Sequence, residues 1–102
     1  MTDAKARLCA DLLQALAEPS RIRIIDLLRA GSKNVTEICR LMQEEIVNVS
    51  HHLSVLREAG LVEQRKDGRF KIYSLHPRFF RSDASNSTCL DLGWCRMEIP
   101  HH

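Results

Sequence analysis

No stretch of the 102-residue sequence comes near the ~18 consecutive apolar residues that a membrane-spanning helix requires. The opening residues, MTDAKARLCADLLQ, carry no signal-peptide core and no cleavage site. A cytoplasmic location is therefore expected, with the four cysteines as thiols rather than structural disulfides. There is no CxxC zinc signature, no phosphate loop, and no nucleophile–base or carboxylate pair set in a motif, so an enzyme is not expected. No internal repeat is present. The formal net charge of +2 is too small to name a partner. A chain of this length holds one small domain, which buries only about two-thirds of its unfolded surface, and many such domains gain area by dimerising.

What is present is unevenly distributed. Residues 1–45 balance seven Lys/Arg against seven Asp/Glu, residues 46–81 hold seven against three, and residues 82–102 hold one against three. A basic excess confined to the second third suits phosphate contact, and equally suits a solvated face.

Periodicity predicts four helices. Ala4 to Ala17 repeats Leu8, Leu12 and Leu16 at four-residue steps, with Cys9 and Leu13 beside them and Asp3 placed to cap the start. Glu18-Pro19-Ser20 interrupts, and RIRIIDLLRA follows up to Gly31. Ile22, Ile24, Ile25, Leu27 and Leu28 wrap much of that second helix, marking it as the central core helix. Asn34 and Glu37 have capping-box spacing and open a short third helix that ends near Gln43, with Val35, Ile38 and Met42 as its stripe and Cys39 on the same side.

The fourth helix runs from Ile46 to Ala59 and is closed by Gly60. At about 100° per residue, Val49, Leu53 and Leu56 share one side, while Val47, His51, Ser54 and Glu58 line the opposite one. Ser50 and Arg57 flank the outer face on one edge, Asn48 and Val55 on the other, and His52 falls near the inner edge. Adjacent helical residues do not face one another, so His51 and His52 are not read as a metal pair. Leu61 to Leu75 predicts a β-hairpin turning on Asp67-Gly68, where both positions tolerate positive φ. Residues 82–88, SDASNST, read as a loop or linker. Trp94 to Ile99 nearly alternates, which predicts a short strand or extended arm with Cys95, Met97 and Ile99 on one side.

Two short helices joined by a tight turn and followed by a basic hairpin make a winged helix-turn-helix, a mainly α fold with a β-hairpin wing (α+β). The expected division is a DNA-binding domain over residues 1–80 and a linker with an extended C-terminal arm over 81–102. A helix fits the major groove, about 12 Å wide, and a cationic hairpin can reach flanking phosphates.

The segments LAEPSRIRIIDLL (16–28), SHHLSVLREAGLV (50–62) and GRFKIYSL (68–75) resemble the ArsR/SmtB-type bacterial repressors. The resemblance implies a homodimer that binds a palindromic operator in double-stranded DNA and releases it when an effector binds. It implies that Ile46–Leu56 is the recognition helix and Lys66–Lys71 the wing. Ser50 and His51 then face the groove, His52 lies against the domain, and Val47 and Asn48 occupy reading positions. Ser54 shares that outer face. Arg57, Arg65, Lys66, Arg69 and Lys71 become phosphate contacts.

Glu44 and Glu45 depart from the family pattern. They suit the helix dipole, and a glutamate can also accept from a cytosine amino group. The family's cysteine pair at the third helix and its Asp/His ligands on a long last helix are also missing. Dimerisation is accordingly expected through the first helix and the tail. Cys9, Cys89 and Cys95 are the candidate effector thiols, for a thiophilic metal or metalloid, or for a persulfide or oxidant, and no metal ion is assigned. Against these stands a small-apolar-residue reading for Cys9 and Cys39. The alternative function is a winged-helix protein-interaction module without specific DNA binding, for which Glu44, Glu45 and Val47 speak.

Overall fold

A computed structural model describes residues 2–82, 87–91 and 96–100. The order is α1 (Asp3–Leu16), α2 (Pro19–Arg29), β1 (Lys33–Asn34), α3 (Val35–Met42), α4 (Ile46–Glu58), β2 (Val62–Asp67), β3 (Phe70–Leu75), β4 (Phe80–Ser82), β5 (Ser87–Asp91) and β6 (Arg96–Pro100). The strands form two antiparallel three-stranded sheets, in the orders β1-β3-β2 and β4-β5-β6.

The first three helices each start where a side chain answers an orphan backbone donor. On α1 the cap is Thr2, whose hydroxyl accepts from the Lys5 N–H at 3.2 Å, one residue earlier than the expected Asp3. The helix buries Cys9, Leu12, Ala15 and Leu16. Leu8, predicted in the apolar stripe, is 49% exposed, and Leu13 is exposed too. Glu18 caps α2 by accepting from the Arg21 N–H at 3.1 Å, and Pro19 fills the first turn, where its missing donor costs nothing. Ile24, Ile25 and Leu28 are buried, whereas Ile22 lies exposed, so α2 is a core helix on one side only.

The capping box on α3 is complete. Asn34 Oδ1 accepts from the Glu37 N–H at 2.8 Å, and Glu37 Oε1 accepts from the Asn34 N–H at 3.1 Å. Gln43 ends the helix in the left-handed region at φ 55°. The Gln43 N–H donates to the Arg40 carbonyl at 3.3 Å and the Glu44 N–H to the Cys39 carbonyl at 3.1 Å. This is the Schellman pattern, built on a glutamine where glycine is usual. It swings the chain straight into α4, whose inner residues Val49, Leu53 and Leu56 have no exposed surface.

The core gathers these residues with Leu12, Leu16, Ile24, Ile25, Leu28, Ile38 and Met42; Leu61, just before the sheet, and Val62 and Tyr73 within it join them. Three features depart from the sequence reading. Strand β1 pairs with β3 (Lys33↔Tyr73, Asn34↔Ile72), which makes the wing sheet three-stranded. The hairpin register pairs Asp67 with Phe70, so the two central turn residues are Gly68 and Arg69, not Asp67 and Gly68. Only Gly68 has positive φ there, at 62°. A two-residue turn with glycine at its first central position needs just one such residue.

The tail is the third departure. Ser82, Ser87 and Thr88, expected in a loop, belong to strands β4 and β5, and the rest of that loop (83–86) lies outside the described residues. The expected arm corresponds to β6, but as one strand of a meander. Phe79, Phe80 and Leu90 are buried in the main core, and the Asp91 N–H donates to the Phe79 carbonyl at 2.7 Å. The expected division at residue 80 therefore falls inside β4, because these strands are too short and too rich in Ser and Thr to show their alternation.

A β-branched residue is far less tolerant of positive φ than glutamine. Gln43→Val should lower the unfolding free energy by about 1–2 kcal/mol in urea titrations, while Gln43→Gly should not lower it.

Candidate nucleic-acid interface

The candidate reading face is the half of α4 that the core does not use. Val47, Asn48, Ser50, His51 and Ser54 are all exposed, as the periodicity requires. Val47 is 72% exposed and Ile46 is 59% exposed. His52 is half-buried and turned to the domain, with Nδ1 3.6 Å from Glu18 Oε2 at the start of α2 and without a hydrogen bond of its own. The two histidine rings lie 5.8 Å apart at 55° and do not converge on one point.

The helix start is acidic without being capped by its acids. Glu45 is the N-cap residue, yet its side chain makes no capping hydrogen bond. Glu44 Oε2 instead accepts from Asn48 Nδ2 at 3.2 Å. This contact ties a candidate reading residue to the turn. Sequence reasoning missed it, although the four-residue spacing was visible. Between Arg40 and Arg57 there is no lysine or arginine.

The cations sit in the last turn of α4 and on the hairpin. Arg57, Arg65, Lys66, Arg69 and Lys71 are all exposed. The register distributes them. Val62↔Leu75, Gln64↔Tyr73 and Lys66↔Lys71 share one face of the β2–β3 ribbon, and Arg65↔Ile72 and Asp67↔Phe70 share the other. Gln64 Nε2 donates to Tyr73 Oη at 2.6 Å, which pins the register just below the charged end. Arg69 occupies the turn, beside an exposed Phe70. Lys66 and Lys71 stand directly opposite each other, an arrangement that disfavours folding.

Asn34 joins this hairpin to the helix-turn-helix. It is both the last residue of β1, paired with Ile72, and the N-cap of α3. Wing and helices are thus mounted on one residue.

The two described candidate thiols lie on different elements. Cys9 is buried on α1, Cys89 is half-buried on β5 opposite Glu98, and Cys95 lies outside the described residues. Among the described residues no three His, Cys, Asp or Glu side chains gather in a way that could hold a metal ion. No described helix is long and apolar enough to cross a membrane.

Comparison with known proteins agrees with this geometry. The profile of a family described as bacterial regulatory protein, arsR family, matches residues 18–64. The chain is 46% identical over 67 residues to the HTH-type transcriptional regulator NmtR of Mycobacterium tuberculosis, covering 66% of this chain and 56% of that protein. It thus spans little more than half the length of that relative. It is 33% identical over 89 residues to the arsenical resistance operon repressor of Escherichia coli, covering 85% of this chain and 74% of that one. Among solved structures, it is similar to a homodimeric winged helix-turn-helix DNA-binding domain from Mycobacterium bovis, a possible ArsR-family regulator. The TM-score is 0.70 and the identity 31%, with 76% of this chain and 75% of that chain covered.

The opposed lysines yield a test that needs no ligand. Lys66→Glu should raise stability by roughly 0.2–1 kcal/mol, seen as a higher urea midpoint, by turning a like-charge pair into an opposite-charge one. A lower midpoint would show that the lysine pair supports the hairpin.

Proposed function

Because the chain belongs to the ArsR family of bacterial regulatory proteins, we propose that it is a cytoplasmic transcriptional repressor that binds a palindromic operator as a homodimer. The observation that carries this reading is the division of labour on α4: three residues without exposed surface face the core, and a continuous exposed face lies opposite, beside a cationic hairpin. A helix held by one side can be laid in a major groove by the other. Val47, Asn48, Ser50, His51 and Ser54 read bases. Arg57, Arg65, Lys66, Arg69 and Lys71 meet phosphates and position the protein without carrying sequence information.

Exposed Leu8 and Leu13 on α1 support a second copy at that helix. They are large apolar side chains that this domain does not bury itself. The relatives are named as regulators, and the M. bovis domain is described as homodimeric.

Release is assigned to thiols. Cys89 neighbours Leu90, which has no exposed surface and belongs to the same core as Leu53 and Leu56 of α4. Chemistry that displaces β5 therefore disturbs the packing under the recognition helix. Cys9 and Cys95 are the partners proposed for Cys89, and the similarity to an arsenical resistance repressor makes a thiophilic metalloid the first effector to try.

In band-shift titrations at physiological salt, the protein should prefer a selected operator over random duplex by 10³-fold or more. Equal binding would refute the repressor reading. Arg69→Ala with Lys71→Ala should flatten the slope of log affinity against log salt by about two per subunit. Arsenite, cadmium or persulfide should release DNA from the parent protein, and Cys89→Ser and Cys95→Ser should abolish that response. Unchanged release in both variants would remove the tail from sensing.

A further inference from the structure

The recognition helix carries an anomaly that phosphate binding does not explain, since Glu44 puts a negative charge at the end of α4 that enters the groove. Its carboxylate is not spent on capping. It accepts from Asn48 Nδ2 at 3.2 Å, one helical turn on. Resting on the operator-reading role of α4, we infer that Glu44 is a positioning residue that commits Asn48 to reading adenine.

Donors and acceptors decide which way the Asn48 amide faces. A primary amide has a carbonyl end and an amino end, and an exposed asparagine can present either by turning over. A carboxylate only accepts, so Glu44 holds the amino end of Asn48 toward itself and fixes the orientation. Asn48 then offers the groove its Oδ1 acceptor together with its second N–H. In the major groove adenine presents an amino donor beside the N7 acceptor, which matches that pair. Guanine presents two acceptors, N7 and O6, and would meet the Oδ1 with a lone pair. The rest of the helix points the same way. Guanine is most often read by arginine or lysine, and α4 has neither before Arg57. Ile46 and Val47, the most exposed apolar residues beside Asn48, are suited to the thymine methyl of A·T pairs.

The test is selection of binding sites from a random duplex library, followed by affinity measurements on single-pair variants. The parent protein should select a consensus containing an A·T pair that Asn48→Ala relaxes. At that pair adenine should beat guanine about tenfold. Glu44→Ala should bring the ratio below about threefold, because the amide is free to turn over. Glu45→Ala is the control: it removes the same charge one residue away from a side chain that makes no capping bond. Both variants should bind all duplexes more tightly at low salt, and only Glu44→Ala should lose the adenine preference. An undiminished ratio in Glu44→Ala, or the same loss in Glu45→Ala, would overturn the inference while leaving the repressor reading intact. A parent protein that selects no consensus would take both down together.

Discussion

Everything in this domain depends on the burial of one side of α4. Val49, Leu53 and Leu56 have no exposed surface. Burying three such side chains is worth on the order of 5–8 kcal/mol before entropy is counted, comparable with the whole stability of a small domain. The helix that faces outward is therefore also the floor of the core. A recognition surface built this way can vary on its outer face at little structural cost, because none of Val47, Asn48, Ser50, His51 or Ser54 is buried. The inner face has no such freedom.

Much of this was legible in the sequence, for reasons that differ element by element. The faces of α4 follow from a period of 3.6 and three well-spaced apolar residues, so the separation of His51 from His52 could be read directly. The Asn34–Glu37 box was readable because both halves of the capping pair are local in sequence. Leu8 was misplaced because a four-residue step drifts around the helix, and the buried face settles on Cys9, Leu12, Ala15 and Leu16 instead. Strand β1 was invisible because two residues have no periodicity; only the pairing of Lys33 and Asn34 with β3 makes them a strand. The turn was shifted by one residue because Asp67-Gly68 and Gly68-Arg69 both contain the glycine that the turn needs, and register with Tyr73 decides between them.

In the candidate interface, residue identities were legible but their relationships were not. Five cations could be counted in the sequence; that two of them oppose each other across the ribbon could not. Folding alone gives no reason for Lys66 and Lys71 to face one another, and an anionic ligand does. The hydrogen bond from Asn48 to Glu44 likewise turns two residues that look like a helix-start acid and a reading residue into one unit. In the tail, the burial of Phe80 and Leu90 gives β4 and β5 a share in the core that a linker followed by an extended arm did not lead one to expect.

The double duty of Asn34 has a mechanical consequence. A wing that swung away on its own would have to break the β1–β3 pairing, and with it the anchorage of the residue that starts α3. Within one protomer, hairpin and helices therefore behave as a single stiff part, like a key whose teeth cannot be bent independently. On the proposed repressor reading, letting go of DNA would then be a matter of changing the angle or spacing between two such parts. The affinity of the pair would be governed by how well two rigid bodies match the pitch of the double helix.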